Sequence, residues 1–378
     1  MRAKIIIVLF LFATLSIIAC RQSIDRESSE TTTTDVAAAK ALLQEQSNAK
    51  ASDLGNKKLS EYGFFSGALK ELKPVKGVIP YDLNTPLFSD YAHKSRFFKL
   101  PEGTSVAYRE KEVLDFPVGT YIIKNFYYFH DDPDSYRDQG KKGKKIIETR
   151  LLLREPDGWK TLPSYIWNDE QTEAFLTVEG GTKNVSWINE AGKKMELAYS
   201  IPSQTLCKSC HVRNNRLTPI GPKVRQLNRS FAFESGTKNQ LAHYAALGIL
   251  TDLPPMSDIP KTPVWNDPAS GSLHRRALAY LDINCAHCHN PDGPGNTSAL
   301  HLSEFETNEF NLGINKNPVA AGKGTGGRPY DIVKGEPDQS ILVYRMESTN
   351  PGEMMPEVAR KLVHREGIAL IKEWIRKM

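Results

Sequence analysis

"GSLHRRALAYLDINCAHCH", Gly271–His289, joins a helix to a dense set of ligating side chains, and the reading of that junction decides the fold. Ser272 offers an N-cap hydroxyl, and Leu273, Ala277, Leu281 and Cys285 recur every four residues along one face of an amphipathic helix. The helix therefore delivers Cys285, Cys288 and His289 at its C-terminal end, with the turn-forming pair Gly293-Pro294 just beyond. Cysteines at i and i+3 share one side of a helical turn, and a histidine at i+4 lies on that same side. The spacing Cys-x-x-Cys-His occurs a second time upstream, as Cys207-Lys208-Ser209-Cys210-His211.

Two thiols so placed suit the two vinyl groups on one edge of a haem, with the adjoining imidazole beneath the iron; the string is a c-type haem attachment signal. Two copies imply two haem c groups. Cys207 and Cys210 would bind one and Cys285 and Cys288 the other, with His211 and His289 as iron ligands. The competing chemistry is zinc held by four thiolates. Against it, the two pairs stand far apart in the chain, and a zinc ribbon has no use for a histidine directly after each pair. His287, between the second pair of cysteines, reads as a surface residue of the turn.

The fifth cysteine, Cys20, closes a different pattern. "MRAK" is a short basic start, "IIIVLFLFATLSII" an apolar run too short to span a bilayer comfortably, and "IIAC" looks like a bacterial lipobox. Residues 1–20 then read as a lipoprotein signal peptide, with Cys20 acylated and the chain anchored by lipid in the periplasm. Arg21, rather than an aspartate, follows the cysteine, and by analogy with lipoprotein sorting this favours the outer membrane. The polar, low-complexity residues 21–58 read as a flexible tether. With Cys20 and the two haem pairs assigned, no cysteine is left for a structural disulfide.

The 378 residues hold 40% hydrophobic and 25% charged side chains, enough apolar material for a normal core. The net charge of +5 is scattered, which gives no case for nucleic acid, and the basic run Gly140–Lys145 reads as a solvated hairpin loop. Residues 59–200 are dense in aromatic and β-branched residues, as in "VGTYIIKNFYYFH" and "KIIETRLLLRE", punctuated by "EPDG", "EGG" and "NEAG". They predict an antiparallel β-rich domain. Residues 201–263 form the first haem region, with an amphipathic helix in "NQLAHYAALGIL", and residues 264–378 the second haem domain, closed by a helix bearing Ile368, Ile371 and Ile375. The expected class is α+β multidomain: an N-terminal antiparallel β-rich domain followed by mainly α-helical c-type cytochrome regions.

Over Leu273–Met378 the order of elements resembles a mitochondrial-type cytochrome c domain: the Cys-x-x-Cys-His helix, a Gly-Pro loop, the helical "GEPDQSILVYRM", the methionine loop "GEMMPEV" and a last helix. The resemblance implies Met355, directly before Pro356, as the second ligand of that iron, with Met354 its rival and Met346 a core residue. It also implies a hydrogen bond from His289 to the Pro294 carbonyl. For the first haem the sixth ligand stays open between Met256, His243 and a vacant position. With "TPIGPKVRQLNR", "VAAGKGTGGRPYDIVKGEP" and "MMPEVARKLVHREGIALIKEWI" added, nearly all of the chain after the leader resembles a family of bacterial dihaem c-type cytochromes. That likeness implies two covalent haems and an envelope location. Members are often encoded beside a parallel β-helix repeat protein, which the likeness suggests as a partner besides an unidentified redox partner protein. "FPVGTYIIK" followed later by Cys-x-x-Cys-His is also similar to cytochrome P460. The expected function is electron transfer; the alternative is a haem-dependent oxidoreductase, peroxidase-like or P460-like, with an open first haem.

Overall fold

The computed structural model describes residues 54–129, 143–319 and 321–378. The leader with Cys20, most of the tether and Gly140–Lys142 of the basic run lie outside the described residues. The fold starts slightly before the expected tether end: Tyr165 donates its hydroxyl to the Asn56 carbonyl at 2.7 Å, and Leu176 N–H donates to the Lys57 carbonyl at 3.0 Å.

The aromatic and β-branched runs form a seven-stranded antiparallel sheet. Its strands are β1 (Val78–Tyr81), β2 (His93–Lys99), β3 (Tyr121–Phe129), β4 (Lys144–Glu155), β5 (Gly158–Thr161), β6 (Ser164–Trp167) and β7 (Ala174–Thr177). The order is β7-β6-β4-β3-β2-β1, with β5 also paired to β4 through the tight turn at Pro156-Asp157. A separate hairpin, β8 (Gly181–Ile188) with β9 (Lys194–Ile201), follows.

Register gives the sheet two unlike faces, because side chains alternate along a strand. On one face Phe97, Ile123 and Leu151 stand side by side and pack with Leu59, Phe64, Leu72 and Trp167. On the other face, Phe98 and Ile122 pack against Val224, Leu227, Leu241 and Tyr244 at one end, while Phe126 and Tyr128 pack with Val185, Trp187 and Tyr199 at the other. Between those apolar clusters the register places Arg96, Lys124 and Arg150 in one cross-strand row.

Six helices follow among the described residues: α1 (Gln204–His211), α2 (Val224–Leu227), α3 (Gln240–Ala246), α4 (Leu273–Asn284), α5 (Ile341–Glu347) and α6 (Arg365–Arg376). The region 201–263 is less helical than expected. Its helices are short and alternate with two-stranded ribbons, Val212–Arg213 with Arg216–Leu217 and Ser230–Phe233 with Gly236–Asn239, because turn residues interrupt each apolar run. Leu250–Thr251 pairs in parallel with Val106–Ala107, and buried Arg225 bonds Asp282 of α4 at 2.9 Å, so these regions are laced together. Residues 56–378 form one compact unit.

Helix α4 is capped as the sequence predicts, Ser272 Oγ accepting from Arg275 N–H at 3.3 Å. It buries Ala277 and Leu281 against Ile371, Trp374 and Ile375 of α6. The two helices close on each other at Gly367, where a Cβ would lie 2.4 Å from the Tyr280 ring. Ile371 is 0% exposed, and Ile371→Ala is expected to cost about 2–5 kcal/mol. Chemical denaturation measures that loss.

Candidate functional site

Ser203 caps α1 by accepting from Leu206 N–H at 3.4 Å, so Cys207, Cys210 and His211 ride on its final turns. The chain then reverses over Asn214-Asn215, both left-handed at φ 49° and 58°, a conformation asparagine tolerates better than other side chains with a Cβ. The reversal returns Thr218 to His211: Thr218 N–H meets the His211 carbonyl at 2.7 Å, and the Thr218 carbonyl meets His211 Nδ1 at 2.9 Å. A carbonyl only accepts. Nδ1 therefore carries the proton, and the lone pair resides on Nε2.

The second motif reaches the same state by another route. Beyond α4 the chain makes one more helical turn, Cys285 N–H donating to the Leu281 carbonyl at 2.8 Å and His289 N–H to the Cys285 carbonyl at 2.9 Å. The loop folds back so tightly that Gly295 N–H donates to the Cys288 carbonyl at 3.0 Å, and a Cβ on Gly293 would stand 2.3 Å from that oxygen. Ser298 is thereby presented to the imidazole. Its hydroxyl donates to the Gly295 carbonyl at 2.7 Å, so toward His289 Nδ1, at 2.9 Å, it is the acceptor. This corrects the expected Pro294 carbonyl: Gly293-Pro294 follows the histidine so soon that the loop is still reversing there. Again Nε2 is left with the lone pair.

The methionine loop is organised by Arg345 of α5. Arg345 Nε donates to the Glu353 carbonyl at 2.9 Å, and the Arg345 carbonyl accepts from Met355 N–H at 2.9 Å. Burial, with the Arg345 charge second, pushes His289 down to about 4, and the Glu357 carboxylate is felt at Cys288. Half-buried Met355 thus stands on a loop that borders the second motif. Met354 is half-buried as well, while Met346 is packed in the core as expected.

The two motifs meet. Asn214 N–H donates to the Asp292 carbonyl at 2.9 Å, and Arg213 pairs with the Asp292 carboxylate at 3.3 Å. Cys210 is close enough to be felt at Cys288, and His287 to be felt at His211. None of the four thiols is bonded to another. Burial raises all four, Cys285 and Cys288 to about 12, the opposite of the lowered thiol of a redox-active pair. Burial and then Lys124 push His211 down to about 3, so both motif imidazoles are neutral near pH 7. Every one of these side chains keeps part of its surface exposed despite strong desolvation, so none is sealed in solid core.

The charged row of the sheet faces the first motif. Glu148 is 0% exposed and takes up Arg150 (Nε, 2.9 Å) and the Tyr199 hydroxyl (2.7 Å), while Asp82 takes up Arg96 at 2.6 Å. Lys124 pairs with no carboxylate among the described residues; burial, then Arg150, push it down to about 7. The charges of Lys124 and Arg150 are felt at Cys207, Cys210 and His211.

The structure thus brings Cys207, Cys210, His211, Cys285, Cys288 and His289 into one neighbourhood, with Met355 at its border. Two candidates for the first motif stand elsewhere: Met256 is 38% exposed, and His243 packs on Phe233 with ring centroids 4.1 Å apart. His287 is not the surface residue expected; it is half-buried, with its Nδ1 enclosed. Among the described residues, no three His, Cys, Asp or Glu side chains are grouped to hold a metal ion. Sequence reasoning missed Thr218, Ser298 and Lys124. The lysine left a signal, a charge at a face position of an otherwise apolar strand, whereas Ser298 left none. Comparison with protein-family models, with curated proteins and with solved structures yields no match to this chain.

Proposed function

We propose that the chain is a dihaem c-type cytochrome that carries electrons in the bacterial envelope, held at the periplasmic face of the outer membrane by a lipid on Cys20. The observation that carries this reading is the shared state of the two motif histidines. Each gives its Nδ1 proton to an oxygen acceptor and keeps the Nε2 lone pair, beside two neutral thiols on the same helical turn. That donor set fits haem c, in which the macrocycle brings four nitrogens and the protein adds one or two ligands.

Haem supplies reversible one-electron chemistry at iron. This chain's residues would hold and tune it. Cys207 and Cys210 hold one group and Cys285 and Cys288 the other; His211 and His289 bind the irons, and Met355 is the second ligand at the latter. Thr218 and Ser298 fix each ring's tautomer and raise its basicity. The Asn214–Asp292 and Arg213–Asp292 bonds hold the motifs together, so an electron entering at one has a short path to the other. An unidentified redox protein accepts it, and a parallel β-helix repeat protein is the candidate partner.

Reduced-minus-oxidised spectra of the purified protein test the reading. Two c-type haems that both accept and return electrons are expected; redox-silent haems would contradict it. Ser298→Ala is expected to make the His289 imidazole less basic and to weaken its hold on ferric iron about 10–100-fold, seen as a raised midpoint potential of the second haem only.

A second reading is favoured by one observation, the cationic row beside the first motif, whose Lys124 pairs with no carboxylate among the described residues. A haem-dependent oxidoreductase acting on peroxide, a nitrogen oxide or an organic acid would use such a row to hold an anion. Binding of cyanide or carbon monoxide to one haem of the native protein supports it, and two inert low-spin haems dismiss it.

A further inference from the structure

Two residues on from Cys285, a side chain lies about 200° round the helical turn, on the side away from the thiol. His287 holds that place. It therefore turns away from the group that Cys285, Cys288 and His289 address. Burial and then the neighbouring His289 depress His287, and after them Lys223 of the first haem region and Asp282, whose carboxylate bonds Arg225, are felt there, so the ring stands between the two motifs. His211, the first motif's own histidine, feels His287 in turn. Nδ1 of His287 is enclosed in protein, and neither ring nitrogen has a hydrogen-bond partner among the described residues. A half-buried imidazole without a hydrogen-bond partner among the described residues thus stands at the seam between the two motifs.

The other candidates at the first motif fit less well. His243 rests on Phe233 and its electrostatic neighbour is Lys238, while Met256 stands exposed on a short turn of the proline-rich link. The seam is also fixed on both sides. Asn214 and Arg213, just past His211, grip Asp292, just past His289. Movement of one motif against the other is thereby restricted, which is what a ligand reaching across the seam requires.

We propose that His287 is the second axial ligand of the haem held by Cys207, Cys210 and His211, so that the second attachment motif serves both haems. The inference rests on the two-haem reading and names the residue that closes the first site. Its consequences are specific. The first haem is bis-imidazole and low-spin, and its potential lies below that of the His/Met second haem. The peptide turn Cys285–His289 then ties both irons into one electron path.

The experiment uses the full holoprotein, and each variant is first weighed to count its haems. Native protein is expected to show two low-spin hemes by electron paramagnetic resonance and no carbon monoxide complex. His287→Ala, with both haems still attached, is expected to turn one haem high-spin and to let one haem bind carbon monoxide. Added imidazole should return it to low spin. His287→Met guards against a folding defect: it should keep both haems low-spin and shift the first haem's reduction equilibrium upward at least about tenfold, or about 59 mV for one electron. His243→Ala and Met256→Ala should change nothing. The inference is overturned if His287→Ala leaves the spin states and carbon monoxide binding as in the native protein, or if His243→Ala or Met256→Ala opens the haem instead. Absence of attached haem in the native protein would sink the functional reading itself, a different result from any of these.

Discussion

Replacing Cys207 and Cys210 together by alanine is expected to strip the protein of one of its two covalent haems. The intact mass should fall by one haem beyond the two lost sulfurs, and the haem stain on a denaturing gel should drop by half. The helix that bears the pair should survive. Its cap at Ser203 and the Thr218 bonds to His211 do not involve the thiols, and alanine is the better helix former. The second motif has its own supports, the Gly293 reversal and Ser298, so the other haem should remain. Full haem content in the variant would show that these thiols are not attachment points.

Met355→Ala is expected to have the largest effect on redox behaviour. A thioether opposite histidine favours reduced iron, so its loss should lower the second haem's potential by on the order of 0.1 V, within the ~0.8 V that axial ligation spans. A high-spin signal should appear with it. Met354→Ala is the matched control, since Met354 shares the loop, but its N–H bonds the Asn350 carbonyl while that of Met355 bonds Arg345, whose charge reaches His289. An unchanged potential in Met355→Ala with a fall in Met354→Ala would exchange their roles. Potentiometric titration followed optically measures both.

The parts of this structure that sequence made legible are those set by short-range chemistry. Ser272 caps α4, and the four-residue recurrence of Leu273, Ala277 and Leu281 marks its buried face, because a helix repeats every 3.6 residues whatever it packs on. The strand runs from Tyr121 to Trp167 were legible for the same reason, in their β-branched and aromatic content. What stayed hidden depends on where loops return. Ser298 reaches His289 only because Gly293 lets the chain fold onto the Cys288 carbonyl, a closure that composition does not announce. Lys124 stands out in its strand only as a lone charge among apolar residues; that the face it occupies is covered at both ends, so that its ammonium is strongly desolvated, follows from the packing of distant segments. His287 was misjudged because residues between paired cysteines are read as solvent-facing, and here a second motif lies against them.

Intact mass of protein matured in cells that attach haem c tests the central claim most directly. The account predicts a polypeptide heavier by two haems, with both retained after denaturation. A denatured chain carrying no haem, or a native protein that releases zinc and shows no Soret band, would contradict it.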